Sequence, residues 1–178
     1  MYYILYCILY LVSLLPFFIL YRISDLVSFV LYHFVKYRRE VVFNNLNIAF
    51  PEKSKAEKTK IAKQFYSNIT DTFIETIKLI SLSKKNISKM ADINLDEVIE
   101  LAKKGKSIQF HGGHQFNWEI ANLLVAQKMN IPFVGIYVKI NNKAINKIFY
   151  DMRSKTGTIL VATDRKSTRL NSSHIPLS

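Results

Sequence analysis

From Tyr2 to Leu20 the chain carries no charged side chain, and Leu, Ile, Tyr, Phe and Val follow one another with only Cys7, Ser13 and Pro16 between them. A run of that length is close to the roughly 20 residues that cross a hydrocarbon core as a helix. A membrane span over about 2–20 is therefore expected. It has neither a basic leading region nor a small-residue cleavage site, so it is expected to be retained. A second apolar segment, 23–35, carries Asp25 and His33; it is short for a span and suits an interfacial helix. Lys36, Arg38 and Arg39 follow and place the rest of the chain on the cytoplasmic side by the positive-inside rule. Tyrosines 2, 3, 6, 10, 21, 32 and 37 crowd the ends of both stretches. The competing reading is a hairpin buried in a soluble protein, but little downstream apolar surface is available to cover both stretches. Residues 1–35 are read as a membrane anchor.

The remaining composition narrows the classes of partner. A formal charge of +12 suits an anionic one, whether phospholipid, nucleic acid or acidic protein. The lysines are spread along helices without stacking aromatics beside them, which disfavours nucleic acid. Cys7 is the only cysteine, so an intrachain disulfide and a cysteine-based zinc site are both excluded.

Past the anchor, Arg38 to Pro51 reads as a short helix stopped by proline. Ser54 with Glu57 three residues on forms a capping box, and opens a long helix with Ile61, Phe65, Ile69, Phe73, Ile77 and Ile80 as its core face. Its lysine-rich opposite face is either solvated or in contact with lipid. Asp96 to Lys104 is a further helix that Gly105 stops. The tripeptide Gly105-Lys106-Ser107 is not a phosphate loop, because Glu100 stands where the loop needs its first glycine and a strand follows instead of preceding.

From Ser107 the pattern runs strand (108–111), helix (117–129), strand (132–138), helix (143–155) and strand (158–161), with Gly157 closing the last helix. Strands separated by helical runs of that length predict βαβ units and a mostly parallel sheet, an α/β fold. The corner after the first strand reads Gly112-Gly113-His114-Gln115-Phe116-Asn117-Trp118-Glu119. It lies at the carboxyl edge of a strand, where sheets of this kind bind ligands. Two glycines permit a tight turn and close substrate approach. A loop histidine followed by a glutamate in the first helical turn can form an acid–base pair, the carboxylate orienting the ring and stabilising the imidazolium. A hydrogen-bonded structural histidine is the alternative. His111 and His114 lack a nearby cysteine or carboxylate cluster, so no metal is expected.

The segment Asp164 to His174 is identical to the translation of a common sequencing adapter, eleven codons in a row. Residues 164–178 are accordingly read as an adapter artefact joined to a chain cut short. Without them the charge is +10, so the basic character persists.

Gly113-His114-Gln115-Phe116-Asn117-Trp118-Glu119 closely resembles the Gly-His-x-x-Asn-Trp-Glu block of the late acyltransferases of lipid A biosynthesis, a branch of the lysophospholipid acyltransferase superfamily. The N-terminal anchor, Tyr37-Arg38-Arg39 to Phe50-Pro51, Gly135-Ile136-Tyr137 with Asn142-Lys143, and Arg153 with Gly157 are similar to that family in kind and order. The resemblance implies an α/β protein: an N-terminal transmembrane helix, then a truncated acyltransferase-like domain over 36–163. It implies a bacterial inner-membrane enzyme, catalytic on the cytoplasmic side and without a cofactor. Such an enzyme moves an acyl group from an acyl-carrier-protein thioester to a hydroxyl of a lipid A precursor. A glycerophospholipid or aminolipid acceptor, and a non-catalytic membrane-associated binding protein, are the alternatives. His114 and Glu119 are the implied catalytic pair, and sequence does not say which takes the proton. Gly113, Asn117, Trp118, Tyr137, Lys139 and Arg153 are the implied substrate-binding residues. Arg153 is a donor to an oxyanion or a phosphate, or else a surface arginine. Trp118 shapes the site or belongs to the core. Val138 stands where the family often has a basic residue after the tyrosine, and Lys139 is one place later, on the other face of a strand. The missing remainder is expected to leave this chain unstable, and the sequence does not say whether it is active.

Overall fold

The computed structural model describes residues 2–112, 117–129 and 131–163; the tail read as adapter-derived lies outside them. In chain order the elements are α1 (Tyr2–Leu14), α2 (Phe17–Val30), a π-helical turn (Leu31–Val35), α3 (Arg39–Ala49), α4 (Lys55–Lys78), α5 (Lys84–Ile87), α6 (Asp96–Lys103), α7 (Trp118–Lys128), β1 (Val134–Val138), α8 (Lys143–Arg153) and β2 (Ile159–Thr163). They divide into two units, Leu11–Lys78 and Met1–Tyr10 with Leu79–Ser178.

In the first of these units the expected span over 2–20 is corrected. The helix breaks at Pro16, whose extended backbone (ψ 152°) caps α2 in place of continuing α1. Proline has no N–H for the preceding turn and its ring clashes with the carbonyl four residues back. The Lys78 ammonium donates to the carbonyls of Ser13 and Leu15 beside the break, at 2.8 Å each. The stretch that results is Phe17–Val35, 19 residues of mean hydropathy 1.4, long and apolar enough to cross a membrane. At 1.5 Å per residue it extends about 28 Å. Its two charged residues, Arg22 and Asp25, pair at 3.6 Å one turn apart.

Only a narrow stripe of this stretch is buried, through Leu20, Ser24 and Tyr32. It packs antiparallel to α4: Tyr21 donates to Glu75 near one end, and the Tyr32 and Tyr66 rings meet edge-on near the other. Ala62, with no bulk beyond Cβ, is fully buried in the same cluster, and Leu46 of α3 completes it. The face expected to be the core of α4 is corrected by this packing. The buried stripe is Ala62, Tyr66, Thr70 and Ile74, one residue on from Ile61, Phe65, Ile69 and Phe73. Phe65 and Phe73 are 45% and 60% exposed. A one-residue step turns a helix by about 100°, and α2 and α3 select the stripe that lets the backbones approach. The Ser54–Glu57 capping box forms as expected, each residue bonding the other's backbone N–H.

In the second unit, β1 and β2 pair in parallel, with Val134 opposite Ile159 and Val138 opposite Thr163. With α8 between them they form one βαβ unit. The strand expected at 108–111 is not formed: these residues are outside any helix or strand. Four residues between Gly105 and Gly112 alternate correctly, but a strand exists only through a ladder, and the described ladder joins β1 to β2 alone. Phe110 nevertheless lies edge-on to Phe133, just ahead of β1. Gly105 takes positive φ (72°) directly after the Lys104 cap of α6, the left-handed turn that terminates helices. The expectation that Gly157 closes α8 is corrected, because that helix ends at the Ser154 cap and Gly157 (φ 112°) turns the chain three residues later, ahead of β2. The core gathers Leu79, Ile87, Leu123, Leu124 and Met152. On the opposite face of the sheet, Val134, Ile136, Val138, Ile159 and Val161 are exposed.

Candidate active site

Asn117 precedes the first turn of α7 and its side-chain oxygen accepts from the N–H groups of Glu119 and Ile120, at 3.2 and 3.4 Å. Short polar side chains are favoured there because they satisfy donors that have no partner within the helix. The cap sets the direction of Glu119, which is 3% exposed. An ionised carboxylate that deep requires a partner, and Arg153, 34 residues later, provides it. Arg153 Nε donates to both carboxylate oxygens, at 3.1 and 2.8 Å, and Nη2 adds a further bond to Oε1. The flat guanidinium fork matches a carboxylate in a way an ammonium does not.

The helix ends reinforce the pair. Glu119 stands in the first turn of α7, where the helix presents positive partial charge, and Arg153 in the last turn of α8, where it presents negative. The guanidinium also lies over the Phe149 ring, 5.0 Å from its centroid.

Behind the ion pair is a residue that sequence reading missed. Asn122, one turn after Glu119, donates to the Arg153 carbonyl at 3.1 Å and accepts from the Thr158 hydroxyl at 3.3 Å. It thereby ties α7 to the end of α8 and the approach to β2. An amide at the i+3 position from a buried carboxylate was the available signal, since the two share a helix face. Gly135 of β1 packs against the same group: a Cβ there would meet Thr158 Cγ2 at 3.0 Å and Leu160 at 3.3 Å.

The other expected site residues are distributed as follows. Gly113 and His114 lie outside the described residues. Trp118 is 43% exposed, so it is not a core residue. Tyr137 is on the inward face of β1, its ring 6.3 Å from that of Tyr150. Lys139 follows the end of β1 and is exposed. Asn142 caps α8 as Asn117 caps α7, accepting from the N–H groups of Ala144 and Ile145. Arg153 is not a surface arginine, because its side chain is only 19% exposed and engages Glu119. Among the described residues no three of His, Cys, Asp and Glu converge as metal ligands would.

A carboxylate held by a bidentate arginine at a helix N-terminus is fixed in position while keeping acceptor capacity. Of roughly four lone-pair sites, three receive bonds from Arg153. Neither the curated proteins nor the solved structures provide a match to this chain. The family model of the bacterial lipid A biosynthesis acyltransferases matches residues 1–172 of the 178, and the chain belongs to that family of acyltransferases.

Proposed function

We propose that the protein transfers a fatty acyl group from an acyl-carrier-protein thioester to a hydroxyl of a lipid A precursor, at the cytoplasmic face of the inner membrane. The observation that carries this reading is the buried Glu119–Arg153 pair at the capped start of α7, within a chain of the acyltransferase family. Membership in that family brings an acyl donor and a lipid acceptor. The charge of +12 suits an acidic carrier protein as well as anionic headgroups.

In this mechanism His114 takes the proton of the acceptor hydroxyl, and Glu119 orients the imidazole and balances the imidazolium. The oxygen attacks the thioester carbon, giving a tetrahedral oxyanion that hydrogen-bond donors stabilise. Collapse breaks the C–S bond, and His114 returns its proton to the departing thiolate. Arg153 is a positioning residue that holds the Glu119 carboxylate; Nε and Nη2 are engaged, and Nη1 is the group left for an oxyanion or a phosphate. Gly113, Asn117, Trp118 and Tyr137 shape the substrate cleft, with Lys139 near its rim.

The test uses membranes containing the full chain, a labelled acyl-carrier-protein thioester and identification of the product lipid. His114→Ala and Glu119→Ala should abolish transfer while the protein still inserts. An acylated glycerophospholipid or aminolipid as the product would replace the lipid A acceptor in this reading. Transfer that survives both substitutions would overturn the catalytic roles.

A further inference from the structure

The Leu11–Lys78 unit contains an open cleft of about 330 Å³ beside the face of α4 that α2 leaves uncovered, within the range of roughly 300–1,000 Å³ typical of ligand sites. Leu31, Val41, Phe65, Ile69 and Phe73 line it, and Arg38 stands at its rim. A second, more polar depression shares Arg38 and Val41 with the first and continues over Lys36, Arg39 and Lys55, with Glu40 as its acidic member. The two are one surface, apolar at one end and cationic at the other.

The charges are presented by a built corner. Lys36 and Arg38 both take left-handed backbone, φ 52° and 51°, a conformation L residues adopt at a cost. The Tyr66 hydroxyl donates to the Tyr37 carbonyl between them and holds the corner. Arg39 is drawn away over the Tyr32 ring, 4.6 Å from its centroid. Among the described residues none of Lys36, Arg38 and Lys55 forms an ion pair with an acid. Leu31, in the final turns of the 19-residue apolar helix, forms part of the cleft wall. The helix of membrane-crossing length therefore opens into this surface where its apolar sequence gives way to basic residues.

We propose that this surface binds an anionic phospholipid of the surrounding bilayer, one acyl chain lying along Ile69 and Phe73 and the phosphate resting against Arg38 and Lys36. The cleft belongs to the Leu11–Lys78 unit and the Glu119–Arg153 pair to the other, and lipid binding there does not depend on the acyl-transfer reading. It explains why two phenylalanines of α4 remain open to solvent, and why the left-handed corner is kept at two residues that are not glycine.

The experiment places the full chain in nanodiscs containing phosphatidylglycerol with a photoactivatable diazirine in one acyl chain. A phosphatidylcholine probe with the same chains is the control. Crosslinks should fall on Val41, Ile69 and Phe73, and favour phosphatidylglycerol. Arg38→Gln should reduce that preference about five-fold, the factor for roughly 1 kcal/mol per basic side chain at an anionic surface. Ile69→Trp should fill the cleft and remove the crosslinks. If circular dichroism shows that variant misfolded, Val41→Trp, at a partly exposed position, decides the matter in its place. Equal labelling by the two lipids, crosslinks confined to the outward face of α2, or protection of the cleft by a second copy of the chain would each overturn the proposal.

Discussion

Breaking the Glu119–Arg153 pair from either side should cost unequal amounts. The Glu119 side chain is 4% exposed and that of Arg153 19%. Removing one partner of a buried pair costs about 3–5 kcal/mol, because the other charge is left without compensation. Arg153→Ala leaves a carboxylate that water scarcely reaches, which places it near about 5 kcal/mol on that scale. Glu119→Ala leaves a guanidinium with a path to solvent, placing it near about 3 kcal/mol. At roughly 2–4 °C per kcal/mol for a chain of this size, Arg153→Ala should lower the melting temperature by about 10–20 °C and Glu119→Ala by about 6–12 °C. Glu119→Leu combined with Arg153→Met should recover most of the loss, since an apolar pair carries no buried charge. Arg153→Lys should fall between, keeping the charge but losing the fork. Thermal melts in detergent provide the measurement, followed by circular dichroism and by the fluorescence of Trp118, the only tryptophan and the residue next to Glu119. A loss below about 2 °C for Arg153→Ala, or a larger loss for Glu119→Ala, would refute the argument that burial makes this pair a fixed element of the site.

Three further outcomes are expected. Gly135→Ala should destabilise the β1–β2 pair by about 1–3 kcal/mol, the usual cost of overpacking, because the new methyl meets Thr158 at 3.0 Å; amide exchange should quicken across both strands and remain unchanged in α4. The Lys155 ammonium donates to the carbonyls of Leu79, Ile80 and Leu82, at 2.7 to 2.9 Å. Lys155→Met should therefore cost about 2–3 kcal/mol, a few charge-assisted bonds discounted for partial access of water, read as a lower melting temperature. Bonds from the Ser54 hydroxyl and backbone N–H hold the Glu57 carboxyl below its ordinary 4.5. Its stabilisation of the start of α4 is thus complete above about pH 4.5 and lost as pH falls through the lowered value; a titration followed by amide exchange at residues 54–58 should show this loss, and Ser54→Ala should remove the dependence.

What the sequence determined by itself is the local chemistry. Ser54 with Glu57, Asn117 and Asn142 act as caps because their bonds close within three residues, and Gly105 ends α6 by its positive φ. The wording from Gly113 to Glu119 was enough for the family. Pro16 breaks the apolar run at a position that composition alone does not mark, because hydropathy does not weigh a missing N–H. The tertiary structure decided whatever depends on a partner distant in the chain. The core stripe of α4 follows from how closely α2 and α3 approach, which periodicity cannot resolve to one residue. The segment at 108–111 alternates as a strand should, but a ladder needs a second chain segment. Above all, Glu119 acquired Arg153 only because the end of α8 comes beside the start of α7. A carboxylate and a guanidinium separated by 34 residues become one unit through packing, and burial then makes each necessary to the other.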